Sequence, residues 1–118
     1  MSMSRKLILF AALNGAMAVS VGAFAAHGAG PQIRTLLTTG AQYQLIHAVL
    51  AVAACQWGAG GRLATLAGWL AAAGGLIFCL SLLLIAFLGA PAFGAVAPVG
   101  GVLMIAGWLC LALAALRS

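Results

Sequence analysis

The run LATLAGWLAAAGGLIFCLSLLLIAFL, Leu63 to Leu88, holds no charged residue, and its polar side chains are confined to Thr65, Trp69, Cys79 and Ser81. As a helix it exceeds the roughly 20 residues needed to cross ~30 Å of hydrocarbon. Three other stretches share its character: Leu7–Ala26, the shorter Ala41–Trp57, and Val99–Leu116. Between them lie His27–Gly40, the tight GAGGR turn Gly58–Arg62, and Gly89–Pro98. The last two carry the glycine and proline that close helices and turn a chain, and Pro98 stands where a first-turn proline is tolerated. The expected fold is an all-α membrane protein. A single transmembrane domain over residues 1–118 forms an antiparallel bundle of four helices, at about 7–26, 41–57, 63–88 and 99–116. In the first outer loop, Ile33, Leu36 and Leu37 share a face apart from Gln32, Arg34, Thr35 and Thr38. That pattern reads equally as a short interfacial amphipathic helix or as irregular loop.

Composition supports this solvent. Of the 118 residues, 66% are hydrophobic and 4% charged, with no Asp or Glu. A soluble surface requires roughly a quarter to a third charged residues. The net charge of +5 comes from Arg5, Lys6, Arg34, Arg62 and Arg117, set singly or as one pair between apolar runs. Nucleic-acid binding needs such charges clustered among aromatics, so nucleic acid is not an expected partner. The lack of side-chain carboxylates excludes paired-carboxylate catalysis, di-iron carboxylate sites and dedicated Mg²⁺ or Ca²⁺ cages. Cys55, Cys79 and Cys110 are far apart, without a Cys-x-x-Cys, and read as small buried hydrophobes.

With four spans, Arg5, Lys6, Arg62 and Arg117 fall on one side and Arg34 on the other. The positive-inside rule then places both termini in the cytoplasm. Trp57, Trp69 and Trp108 are expected toward the cytoplasmic helix ends, as an aromatic belt. The first helix also resembles a secretory signal peptide, with Arg5-Lys6 ahead of an apolar run and the small-residue string AFAA. Its apolar stretch of about 20 residues, interrupted by Asn14 and Gly15, is long for one, and an uncleaved helix is expected.

Small residues mark where membrane helices approach one another. Ala11, Gly15, Ala18, Gly22 and Ala25 recur at helical spacing in the first helix. Gly40, Gln44, His47, Ala51 and Ala54 do so in the second, with Leu45, Ile46, Val49 and Leu50 directed away. Gly74-Gly75 and Gly100-Gly101 are expected to permit close backbone approach. Ser81 can return its hydroxyl to the preceding turn.

The polar residues Tyr43, Gln44 and His47 therefore sit on or beside a bundle-facing stripe, near the outer face. Four roles are open. One is a hydrogen-bonded clamp in which Gln44 and His47 satisfy each other and a neighbouring group, with Asn14 the best candidate. A small-molecule pocket with His47 and Tyr43 as donors is the second. Metal or haem ligation by His27 and His47 is the third, set back by a depth difference of roughly 9 Å. Nucleophilic catalysis is weakest, because no serine or cysteine lies one turn from either histidine. No catalytic, cofactor-binding or metal residue is assigned.

GAFAAHG (Gly22–Gly28), TGAQYQLIHAVLAV (Thr39–Val52), FCLSLL (Phe78–Leu83) and APVGGVLMIAGW (Ala97–Trp108) together resemble the signatures of the DUF423 family. These are small multi-pass membrane proteins, mostly bacterial, of unestablished function. The resemblance implies a bacterial inner-membrane location and singles out His27, Tyr43, Gln44, His47, Pro98, Gly100, Gly101, Gly107 and Trp108. Three positions depart from the pattern: Gln42 where Glu is common, Ala97 where Thr is common, and Leu83 where Tyr is common. Each removes a charge or hydroxyl and weakens any proton-relay role.

The expected function is a structural or accessory membrane protein, not an enzyme, that needs no cofactor. Its partners would be membrane lipids and a second copy or a larger membrane complex, with Gly15, Gly22, Pro98, Gly100, Gly101 and Gly107 as packing positions. The alternatives are a binder or transporter of a small neutral or lipid-like molecule, and a haem or metal protein.

Overall fold

The computed structural model describes residues 2–89 and 91–118. It contains four long helices: α1 (Met3–His27), α2 (Pro31–Gln56), α3 (Gly61–Leu88) and α4 (Ala97–Arg117), with short 3₁₀ turns at Gly58–Gly60 and Pro91–Ala95. At 25, 26, 28 and 21 residues, each helix is long enough to span hydrocarbon, and each is apolar enough to do so. The molecule measures 46 × 25 × 21 Å.

The second helix starts ten residues earlier than the sequence suggests. Gly30 ends the turn, Pro31 takes the first helical position, and Gln32–Thr38 continue directly into the span. No separate interfacial helix precedes it, and Gly40 lies inside the helix. The physical reason is Pro31, whose fixed φ suits a helix start and whose missing N–H costs nothing there. Gly40 signals packing here, since a Cβ at that position would lie 3.3 Å from the Cα of Cys79. At the other connections, Gly61 and Gly89 have φ of +59°. Only glycine adopts such backbone without strain, and Gly89 closes α3 by donating to the Ile85 carbonyl at 3.1 Å.

The helices pack as a row, α1 on α2, α2 on α3, and α3 on α4, with a lesser contact of α1 on α3. Across the first seam, residue numbers rise along α1 as those of their partners fall along α2. Leu7 packs with Ala51, Asn14 bonds Gln44, and Ala25 packs with Leu37. Across the second seam, Gly40, Gln44 and Ala51 meet Cys79, Gly75 and Gly68. Across the third, Gly100 meets Phe78 and Gly74, and Gly107 meets Ala67 and Ala71.

Helix α3 is the most crowded. Gly68, Gly75 and Cys79 form its α2 side, and Ala67, Ala71 and Gly74 its α4 side. Without side chains to hold the helices apart, backbones come into direct contact. A Cβ on Gly74 would stand 2.7 Å from the Gly100 oxygen, and one on Gly100 would stand 2.6 Å from the Phe78 nitrogen. Close approach of this kind, not a hydrophobic driving force, stabilises helix pairs in lipid.

Two expected packing glycines are not at a seam. Nothing lies within 4 Å of a Cβ built on Gly15 or on Gly101. In α1 the buried face runs Leu7, Ala11, Asn14, Ala18 and Ala25, so Asn14 occupies the place assigned to Gly15, one residue and about 100° away. A Cβ on Gly22 would stand an ordinary 3.7 Å from the Ala41 Cβ, and Pro98 is exposed in the first turn of α4. Leu50, expected to face lipid, is buried, while Leu45, Ile46 and Val49 are exposed.

Candidate functional site: a polar set at the bundle centre

The centre of α1 falls on Gly15, that of α2 between Tyr43 and Gln44, that of α3 between Gly74 and Gly75, and that of α4 on Gly107. Asn14, Gln44 and Trp108 adjoin those centres, and His47 is one turn away. The polar set is thus at mid-depth, not near the outer face, because α2 begins at Pro31. Trp108 likewise leaves the expected belt, while Trp57, just after α2, and Trp69, in α3, remain toward one end.

Asn14, Gln44 and His47 are 3%, 1% and 5% exposed. Gln44 Nε2 donates to Asn14 Oδ1 at 2.8 Å and contacts Met17 Sδ at 3.4 Å. Asn14 Nδ2 in turn donates to the Phe10 carbonyl at 3.0 Å, which fixes the amide's orientation. This pair joins α1 to α2. Gln44 Oε1 is buried without a hydrogen-bond partner.

His47 is held independently. Its Nδ1 lies 2.6 Å from the Tyr43 carbonyl, and Trp108 Nε1 lies 3.0 Å from its Nε2. A carbonyl only accepts and an indole N–H only donates. Both partners therefore select the imidazole with its proton on Nδ1 and a lone pair on Nε2 facing the indole. His47 and Gln44 do not bond each other; the imidazole turns back to the carbonyl four residues earlier instead. The Trp108 ring meets the imidazole edge-on, with centroids 6.0 Å apart and an interplanar angle of 80°.

Tyr43 and His27 stand apart from this set. Tyr43 is 47% exposed, and its ring packs edge-on against Phe78, centroids 5.1 Å apart. His27 is exposed at the end of α1. The two histidines do not meet, and among the described residues no three His, Cys, Asp or Glu side chains gather around a common point. Cys79 is buried, Cys55 and Cys110 are half-buried, and all three are free thiols. Ser81 donates to the Ile77 carbonyl at 2.7 Å, closing its own hydrogen bond.

Trp108, expected in the belt, is instead the partner of His47. The available signal was depth: once α2 starts at Pro31 and α4 at Ala97, both residues fall near mid-span. The glycines at the centre of α3 then complete the geometry. Gly75 lets the Gln44 backbone approach, at 3.2 Å from a would-be Cβ, and Gly74 admits α4 on the other side.

The sequence model of the family described as "Protein of unknown function (DUF423)" matches residues 21–101. The chain belongs to the DUF423 family. Among DUF423-type relatives, the UPF0382 membrane protein YwdK of Bacillus subtilis strain 168 is 36% identical, covering 93% of this chain and 95% of that protein. A UPF0382 membrane protein of Haemophilus influenzae is 36% identical over 98% of each chain. One from Staphylococcus epidermidis is 36% identical over 93% of this chain and 94% of its own. No solved structure matches. The relatives and the four apolar helices make this DUF423 chain a multi-pass integral membrane protein. The matched DUF423 segment includes Gln44 and His47 but neither Asn14 nor Trp108, their partners from the outer helices.

Proposed function

We propose that this protein is a structural or accessory element of the membrane, an antiparallel bundle with both termini in the cytoplasm and without enzymatic activity. The observation that carries this reading is the pairing of the mid-depth polar groups. Asn14 with Gln44, and Tyr43 with His47 and Trp108, direct their hydrogen bonds at one another. Polar groups in hydrocarbon that are satisfied within the protein act as fasteners, fixing which helices meet and at what depth. The orientation is supported by four cations at the end that carries both termini and one at the other. A bacterial cytoplasmic membrane suits the relatives' sources.

A second reading has one observation in its favour. Gln44 Oε1 is a buried acceptor without a donor, at the centre of the bundle. A small neutral molecule with a hydroxyl or amide could supply one, which would make the protein a binder or carrier.

Purification of the full chain in mild detergent, with mass spectrometry of co-eluting proteins and lipids, separates the two. A stoichiometric second copy or partner protein is the expected result. A retained neutral small molecule, lost in Gln44→Leu while the melting temperature holds, would replace the first reading with the second. A haem band in the visible spectrum would overturn both.

A further inference from the structure

The geometry points to a binding site for the phosphate headgroup of an anionic glycerophospholipid at the basic end of the bundle, centred on Arg62. A cavity of about 750 Å³ opens there, lined among others by Ser2, Ser4, Trp57, Arg62, Thr65 and Trp69. A second, of about 430 Å³, is lined by Arg62 and Arg117 together with Gly60, Leu66 and Ala114. Arg62 and Leu66 line both, so the two recesses adjoin at Arg62.

Three features favour an anion. No side-chain carboxylate exists in the chain, so no side chain of the protein neutralises Arg62 or Arg117. The first turns of two long helices, α1 and α3, open on the larger cavity, and Gly60 caps α3 without a side-chain bond. Ser2 Oγ already accepts the Arg5 N–H and the Gly58 carbonyl the Gly61 N–H, so what these helices add to the arginine charge is chiefly their positive dipole ends. Arginine also presents the planar donor fork that fits phosphate oxygens.

The lipid, rather than free phosphate, follows from the walls. Trp57 and Trp69 supply aromatic surface of the kind that lies at headgroup depth. Leu66 is exposed beside the cavity and Met3 at its rim, offering a path along which acyl chains can leave toward hydrocarbon. Basic recesses between membrane helices hold lipid headgroups by this combination. The site is separate from the mid-depth polar set and does not depend on its role.

Native mass spectrometry of the full chain tests this, with titrations of phosphatidylglycerol, phosphatidylcholine and inorganic phosphate. Phosphatidylglycerol should bind most tightly and resist millimolar phosphate. Arg62→Gln and Arg117→Gln should each weaken it roughly fivefold, the factor expected for one cation at a lipid headgroup. Arg34→Gln, at the far end, should leave it unchanged. Arg62 is exposed, so an unaltered melting temperature is expected in that variant, and Arg62→Lys should recover part of the affinity. Equal binding of phosphatidylcholine, equal loss in Arg34→Gln, or displacement by free phosphate would overturn the assignment.

Discussion

The indole nitrogen of Trp108 donates to Nε2 of His47 across 3.0 Å, joining α4 to α2 although α3 is the principal neighbour of both. One bond therefore reports on the relative depth of three helices. It also commits the imidazole to a single tautomer, with Nδ1 engaged at the Tyr43 carbonyl.

Trp108→Phe keeps an aromatic ring but deletes the donor, and His47→Leu deletes the acceptor. Interhelical hydrogen bonds in membranes are worth about 0.6 kcal/mol on average and seldom more than ~1.7. Each single change should therefore cost about 1–2 kcal/mol, part of it from the partner left unsatisfied. A double-mutant cycle by unfolding in detergent should give a coupling of about 0.5–1.5 kcal/mol. Strict additivity would mean that the bond does not form in the membrane.

Asn14→Leu leaves the Gln44 amide nitrogen with only the Met17 sulfur, while Gln44 Oε1 is already unpartnered. That change should cost about 1–3 kcal/mol, more than Gln44→Leu, in which the orphaned acceptor disappears as well. Thermal unfolding of the two variants in one detergent checks the order.

Glycine substitutions should divide sharply. Gly74→Ala and Gly100→Ala place a methyl against backbone at 2.7 and 2.6 Å, where no side chain can rotate away, and the α3–α4 seam must open. Gly15→Ala and Gly101→Ala meet nothing within 4 Å and should be neutral or slightly stabilising, since alanine is the better helix former by about 1 kcal/mol. Melting temperatures of the four variants decide it. Equal losses would show that Gly15 and Gly101 face a second copy of the chain.

Orientation is checked by a reporter fused after Ser118, which should be active only in its cytoplasmic form, and by Thr35→Cys labelling, which should succeed only from outside. The opposite labelling pattern would invert the bundle.

The number and type of helices were legible because length and hydropathy are local properties. Leu63–Leu88 announces a span without reference to anything else. The start of α2 was not, because Gln32–Thr38 is polar enough to read as loop, and its helix rests on the start at Pro31 and on Leu37 packing against Ala25. The Asn14–Gln44 bond was within reach, as two amides on facing stripes of adjacent helices have few other partners. The His47–Trp108 bond was not, because it depends on how far α3 lets its two neighbours converge, and that is set by Gly74 and Gly75 jointly. Gly15 and Gly101 misled for a simple reason: glycine types a surface as small, but only the phase of the helix says whether a neighbour stands there.

The row of helices has a consequence for biogenesis. Each principal seam joins elements consecutive in the chain, so a helix delivered to the bilayer finds its partner already present, and no earlier contact must be undone. Local closure of this kind is fast, because little loop entropy is lost before contacts form. The bond between His47 and Trp108 instead joins the non-consecutive helices α2 and α4, its residues 61 positions apart. Until α4 arrives, the Nε2 lone pair of His47 waits in hydrocarbon without a donor. Insertion of α4 is thus the step that supplies the missing donor to the His47 imidazole.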